Sequence, residues 1–260
     1  MYVVGIGPGS TEHLTPAAKK AIQDSEIIVG YKTYLDLIRE LIRDKDIMSS
    51  GMRQEVDRCS KAVELARPGK KVAVICSGDP GIYAMAGLVF EILKNQGAGC
   101  RGQGAGHGTR NTDRMPAIEV VPGIPALGSC AARLGAPLMH DFASISLSDL
   151  LTPWELIEKR IEAAASADFV IIIYNPKSKG RKEHINKARD IILRFRPPQT
   201  PVGIVRSAMR DEEKITITDL GNMSGHKIDM QSTVIIGNSQ TFTWNNRMVT
   251  PRGYTGKYKI

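Results

Sequence analysis

Short apolar runs alternate with amphipathic stretches along the chain, the pattern of a largely parallel sheet covered by helices. Residues 2–6, Tyr-Val-Val-Gly-Ile, predict a first strand. Thr15 is placed to cap a helix over 16–25, with Pro16 in its first turn. Residues 26–29 predict a second strand, and 31–42 a helix with Leu35, Ile38 and Ile42 on one face. A weaker strand over 47–49 precedes a helix over 54–66. Residues 71–76 predict a buried strand and 82–94 a helix.

The stretch 95–114 breaks the pattern, with six glycines and no large apolar side chain. It cannot bury enough surface to offset its ordering entropy, so it reads as a flexible insertion. Its glycines lack the preceding strand and following helix that a phosphate cradle needs. Periodicity returns with a strand over 118–121 that ends in Pro122-Gly123. A helix rich in small residues follows over 125–133, then a strand over 144–147 and a helix over 154–165. Residues 168–174 form the most hydrophobic strand, and 181–195 a helix ended by Pro197-Pro198. Strands are predicted over 202–206, 214–218 and 233–236, with a hairpin around Asn245-Asn246. The expected fold class is therefore α/β in two lobes: 1–122 with a mainly parallel sheet and helices, 123–260 with a mixed sheet and helices.

Composition adds bounds rather than identity. At 260 residues the chain can hold one large core or two small ones. Aromatics are only 5% of it, which argues against a surface for stacking single-stranded nucleic acid. Thirty-five Lys and Arg against 27 Asp and Glu leave a formal charge of +8. Such an excess attracts nucleic acid, anionic lipid or a small substrate rich in carboxylates or phosphates, and equally serves plain solvation. The basic residues are spread out, so no nucleic-acid tail is visible. Cysteines at 59, 76, 100 and 130 form no C-x-x-C pair, so no metal site is expected and reduced thiols in a cytoplasmic protein are. Neither a signal peptide nor a membrane-spanning run is visible, and no membrane partner is expected.

Two glycine turns are candidates for chemistry. Gly5-Ile6-Gly7-Pro8-Gly9 follows the first strand, but Pro8 removes an amide donor and Thr11-Glu12 stands where a dinucleotide fingerprint needs its last glycine. Ser77-Gly78-Asp79-Pro80-Gly81 lies between a buried strand and a helix, where open α/β sheets bind ligands. Asp79 suits either a ligand hydroxyl or amine, or a helix cap.

These turns are not isolated. Gly-Ile-Gly-Pro-Gly-Ser at 5–10, Gly-Tyr-Lys-Thr-Tyr at 30–34, Ser-Gly-Asp-Pro-Gly-Ile-Tyr at 77–83 and Val-Val-Pro-Gly-Ile at 120–124 follow the order seen in the tetrapyrrole methylases. The stretches 135–142, 146–154, 174–181 and 236–241 further resemble the branch that methylates C17 of precorrin-3B or cobalt-precorrin-3 in cobalamin biosynthesis. The resemblance covers nearly the whole chain except the glycine-rich stretch. It implies a methyltransferase using S-adenosylmethionine, bound in a cleft between two α/β domains, with a polycarboxylate tetrapyrrole as substrate and a homodimeric assembly. By motif, Pro8, Gly78, Asp79, Pro80, Ile82, Tyr83, Ile124, Pro125 and Ala126 would line the donor pocket. Tyr174, Asn175, Ser207, Ala208, Ser232 and Thr233 would meet the adenosine, with strand-end packing as their plain alternative.

C17 methylation in that branch accompanies ring contraction, which needs proton management. His140, with Asp141 beside it, is the acid/base candidate, and a hydrogen-bonded structural histidine is the alternative. Asp149 is a second polar candidate or a helix cap. Lys32, Arg53, Lys177, Lys179 and Arg181 are candidate clamps for substrate carboxylates, each also suited to a solvated surface. A sister branch (another precorrin position, diphthine synthesis or ribosomal RNA methylation) and a non-catalytic basic nucleic-acid-binding module are the competing readings.

Overall fold

The alternation of side chains along the first strands sends neighbouring residues into opposite helix layers, and this builds the first sheet. The computed structural model describes residues 1–51, 53–100 and 115–259. It divides into two compact units, Met1–Pro125 and Ala126–Ile260.

The first unit runs β1 (Tyr2–Gly5), α1 (Pro16–Asp24), β2 (Ile27–Tyr31), α2 (Lys32–Leu37), β3 (Asp46–Ser50), α3 (Glu55–Ala66), β4 (Val72–Cys76), α4 (Ala86–Cys100) and β5 (Glu119–Val121). Its five strands are all parallel, in the order β3-β2-β4-β1-β5. Val3, Val29 and Val74 pack with Cys59, Val63 and Val89 of α3 and α4. Val4, Ile28 and Ile75 point the other way, onto Ala18 and Ile22 of α1 and Leu35 of α2. Thr15 caps α1 as expected, its hydroxyl accepting from the Ala18 amide at 3.1 Å.

Three helices differ from their expected spans. Helix α2 stops at Leu37 and yields to a 3-10 turn over Arg39–Leu41, because Ile38 leaves helical geometry at φ −120°. Helix α4 begins at Ala86, not 82, since Tyr83 takes a left-handed turn at φ 52°. At its other end α4 continues through residues 95–100, the start of the expected flexible insertion. Extending a formed helix adds one hydrogen bond per residue fixed, which outweighs the poor propensity of glycine there. Residues 101–114, the rest of that insertion, lie outside the described residues. Helix α7 is shorter than expected at both ends, as given below.

The second unit runs α5 (Ala126–Leu134), β6 (Gly135–Ala136), β7 (Phe142–Ser146), α6 (Trp154–Ser166), β8 (Val170–Tyr174), α7 (His184–Ile192), β9 (Pro201–Arg206), β10 (Lys214–Asp219), β11 (Ser232–Ile236), β12 (Phe242–Trp244) and β13 (Arg247–Val249). The larger sheet is mixed, in the order β10-β9-β11-β8-β7, with β7 and β8 parallel and the other pairs antiparallel. Ile171 and Ile173 of β8 face Ile157 and Ile161 of α6 and Ile185 and Ile192 of α7. Val170 and Ile172 face Cys130 and Leu134 of α5 and Met248 of β13. The predicted hairpin forms, with Asn245 and Asn246 at φ 45° and 55° between β12 and β13. Strand β6 escaped the pattern because two residues carry no alternation; it pairs parallel to β13.

One apolar and one ionic contact help to fix the C-terminal end of helix α5. Leu134 lies fully buried over Gly203, where an added Cβ would come within 2.3 Å of Leu134 Cδ1. Leu134→Ala is expected to destabilise by about 2–5 kcal/mol and Gly203→Ala by about 1–3 kcal/mol. The double variant should lose less than the sum, since the new methyl refills part of the cavity; thermal denaturation of the four proteins reads this coupling.

At the end of α5, Arg133 chelates Glu213 with contacts of 2.7, 2.9 and 3.0 Å, and the Met209 amide donates to the same carboxylate at 2.6 Å. Burial pushes the Glu213 carboxyl up, but Arg133 and the Met209 amide outweigh it and hold its pKa below the usual value. A depressed folded pKa means stability present above the unfolded pKa of about 4.3 and lost as pH falls through the folded value. Glu213→Gln is therefore expected to cost about 1 kcal/mol at pH 7, with the half-exposed Arg133 limiting the figure. The difference in Tm between variant and wild type should shrink as pH drops below about 4.

Candidate active site

In the first unit the connections leaving β1 and β4 diverge, to α1 on one face of the sheet and α4 on the other. The carboxyl ends of two such adjacent strands are where open α/β sheets leave a crevice for ligands. The turns at Gly5–Gly9 and Ser77–Tyr83 leave those two strands, and the turn after β5 leaves the strand beside β1. They are tied together by backbone. Gly7 N donates to Gly78 O at 3.1 Å, and Gly78 N donates to Gly7 O at 2.8 Å. Asp79 completes the knot: Oδ1 accepts from Gly81 N at 2.8 Å and Oδ2 from Gly123 N at 3.2 Å. Both carboxylate oxygens therefore hold backbone amides, so Asp79 braces two turns. Gly123 must be glycine, because a Cβ there would stand 2.2 Å from Gly78 O.

The other candidates of this unit follow the same edge. Pro8 is buried in the first turn, and Ile124 lies against Gly7. Tyr83 is 53% exposed and left-handed. Lys32 follows β2 and is exposed; Arg53 follows β3, is exposed, and is left-handed at φ 66°. Parallel strands put all of these at one end of the sheet.

In the second unit the strand registers bring together the end of β7 at Ser146, the end of β8 at Tyr174, the end of β9 at Arg206 and the start of β11 at Ser232. Tyr174, Asn175, Ser207, Ala208, Ser232 and Thr233 thus share one edge, and so do Asp149, Lys177, Lys179 and Arg181 in the turns that leave it. Helix α5 starts there too, its Leu127 amide donating to the Tyr174 hydroxyl at 2.7 Å, which places Ala126 beside Tyr174. Asn175 Nδ2 donates to Ser146 Oγ at 2.9 Å, joining the ends of β7 and β8. Asn175 and Ser207 are both left-handed at φ 50°, a conformation that costs about 1–3 kcal/mol and concentrates at ligand sites. Ser232 and Thr233 are buried, and the Ser232 hydroxyl closes onto Asp229 at 3.2 Å, so its side chain is occupied inward.

Arg181 differs from its expected clamp role. Its Nη1 donates to Leu147 O at 2.7 Å and Asn175 O at 3.0 Å, stitching the turn after β7 to the turn after β8. Arg181 and Ser178 exchange backbone hydrogen bonds, which holds Arg181 in the turn and delays α7 to His184. Helix α7 ends at Ile192, where Leu193 turns before the prolines.

The structure separates His140 and Asp141 from this edge. They precede β7, at its far end, where Asp141 O accepts from Val170 N at 3.1 Å. Five residues of strand put them about 17 Å from Ser146 and the turns beyond it. His140 is 44% exposed and its Nδ1 accepts from the Asp141 amide at 2.9 Å. Asp149 instead meets His184, with Oδ2 3.0 Å from Nε2, and lies 3.5 Å from Arg181 Nε through Oδ1. Burial pushes the Asp149 carboxyl up, but His184, its own backbone amide and Arg181 together outweigh it and bring its pKa below the usual value. Sequence reasoning missed His184; its signal was its place in the first turn of the helix that follows the Asn-Pro-Lys stretch. Among the described residues no helix is long and apolar enough to cross a membrane.

Comparison with known proteins matches this arrangement to one family. Residues 1–224 match the tetrapyrrole (corrin/porphyrin) methylases. The chain is 52% identical over all 260 residues to a cobalt-factor III methyltransferase of Priestia megaterium, but spans only 46% of that protein's length. It is 48% identical to a probable cobalt-factor III C(17)-methyltransferase of Salmonella typhimurium, covering 98% of this chain and 99% of that one. A crystal structure of the methyltransferase CobJ superposes with a TM-score of 0.86 at 33% identity, covering 96% of this chain and 98% of the other. The chain belongs to the tetrapyrrole (corrin/porphyrin) methylase family.

Proposed function

We propose that this chain transfers a methyl group from S-adenosylmethionine to C17 of a cobalt-containing tetrapyrrole, the cobalt-factor III type of substrate, during corrin ring contraction in cobalamin biosynthesis. The observation that carries the reading is the full-length match to the Salmonella typhimurium relative of that name, at 48% identity. The Priestia megaterium relative carries the same substrate name, which favours the cobalt form over the metal-free one.

The residues suit the donor. Turns at both sets of strand ends hold their backbone outside the sheet ladders, with Tyr83, Asn175 and Ser207 fixed in left-handed geometry. Such turns offer amides and carbonyls to an adenosine and to an amino-acid terminus at no further ordering cost. Pro8, Gly78, Pro80, Ile82, Tyr83, Ile124, Pro125 and Ala126, with Tyr174, Asn175, Ser207 and Ala208, are the proposed donor contacts. Asp79 acts through the turns it braces. Lys32, Arg53, Lys177 and Lys179 are the proposed partners of substrate carboxylates, since Arg181 is engaged by backbone carbonyls.

Binding of S-adenosylhomocysteine, measured by calorimetry, is expected near micromolar concentration. Transfer of labelled methyl from S-adenosylmethionine is expected with the cobalt-containing tetrapyrrole and to be slower with the metal-free one. Absence of S-adenosylhomocysteine binding would sink the reading, and salt-sensitive nucleic-acid binding in its place would favour a binding module. Asp79→Asn keeps one acceptor but turns an NH2 group on the second amide. It is expected to weaken S-adenosylhomocysteine binding about tenfold or more, the effect of losing one hydrogen bond to a charged group.

A further inference from the structure

We propose that His184, oriented by Asp149, is the proton acceptor of the methylation reaction, an assignment that rests on the methyltransferase reading above. Methyl transfer breaks the S–CH3 bond with its electron pair left on sulfur and forms the C–CH3 bond from ring π electrons. The macrocycle then carries one more positive charge and must release one N–H or C–H proton. A base near neutrality has to take it.

The pair has the geometry of a base and its orienting carboxylate. His184 Nε2 lies 3.0 Å from Asp149 Oδ2, so a neutral imidazole donates its proton to the carboxylate and presents Nδ1 as the acceptor. Asp149 stabilises the imidazolium formed when Nδ1 takes the proton. The His184 ring is clamped edge-on against Trp154, centroids 4.3 Å apart, and its side chain is 17% exposed. Asp149 from the turn after β7 is the charged group against it; next to its two neighbours stand Arg181 from the turn after β8, 3.5 Å from Asp149, and Lys187 of α7, whose ammonium lies 5.7 Å from the Trp154 ring centre.

Two observations separate this pair from a structural tie. The turns after β7 and β8 are already joined by Arg181 and by Asn175, so they do not need His184 to hold them. The residues after Asp149, Leu150 and Leu151, are 74% and 92% exposed, an apolar surface beside the pair that suits the face of a flat macrocycle. His140, by contrast, stands at the opposite end of β7.

The test uses the full chain with His184→Asn, His184→Gln, His184→Ala and Asp149→Asn variants, cobalt-factor III as acceptor and S-adenosylhomocysteine as the binding probe. Both amide variants at 184 are expected to bind S-adenosylhomocysteine within twofold of wild type. Their kcat should fall about 100-fold or more, with KM little changed. The wild-type rate should show an acid limb, falling as pH is lowered, and the amide variants should lack that limb. Added imidazole should restore part of the His184→Ala rate. The assignment is overturned if the amide variants keep kcat within threefold, if they lose donor binding along with activity, or if their residual activity keeps the wild-type limb. Wild-type chain that binds no S-adenosylhomocysteine fails at an earlier step, sinking the methyltransferase reading and this assignment with it.

Discussion

The Asp79 carboxylate is the interaction on which the arrangement of the first unit's strand-end turns depends. In a parallel sheet every strand ends on the same side, so turns of different sequence are forced together there. Backbone amides crowded at such an edge need acceptors, or their desolvation is uncompensated. Asp79 supplies two, one to its own turn through Gly81 and one to the turn after β5 through Gly123. Glycines at 5 and 123 make the approach close enough for that bond. The brace and the glycines are one device.

The second unit solves the same problem with different chemistry. Its mixed sheet brings strand ends and a strand start to one edge, and side chains rather than glycines bind the turns. Asn175 ties β8 to β7, Arg181 ties the turns that follow them, and Glu213 ties the turn after β9 to α5. A charged group aimed at carbonyls in this way is no longer a free clamp for a substrate. Part of the chain's +8 charge is thus structural, and only part can serve a polyanion.

Most of the fold was legible because strands and helices carry periodic patterns: the β8 run of Val170 to Ile173 and the capped start at Thr15–Pro16 read directly from the sequence. What escaped was set by contacts between distant segments. Ile82 and Tyr83 looked like the start of a helix, but the turn braced by Asp79 keeps them out of it. Arg181 looked helical and is held in a turn by Leu147 and Asn175. The motif positions at the strand ends were legible by resemblance. His140 drew the base assignment because aspartate adjoins it in sequence, yet both residues precede β7, at the end opposite the turns that follow Ser146. His184 and Asp149, 35 residues apart, meet only because β7 and β8 run parallel and their exit turns coincide.

The central claim is that both units present their ligand-binding residues at these strand-end edges. Hydrogen–deuterium exchange with and without S-adenosylhomocysteine tests it most directly, because turn amides outside the ladders open and exchange more readily than ladder amides until a ligand covers them. The account predicts new protection over 5–9, 77–83 and 122–126 and over 174–181, 206–209 and 229–233. Protection confined to the opposite edges, at 66–71 or 138–142, would contradict it.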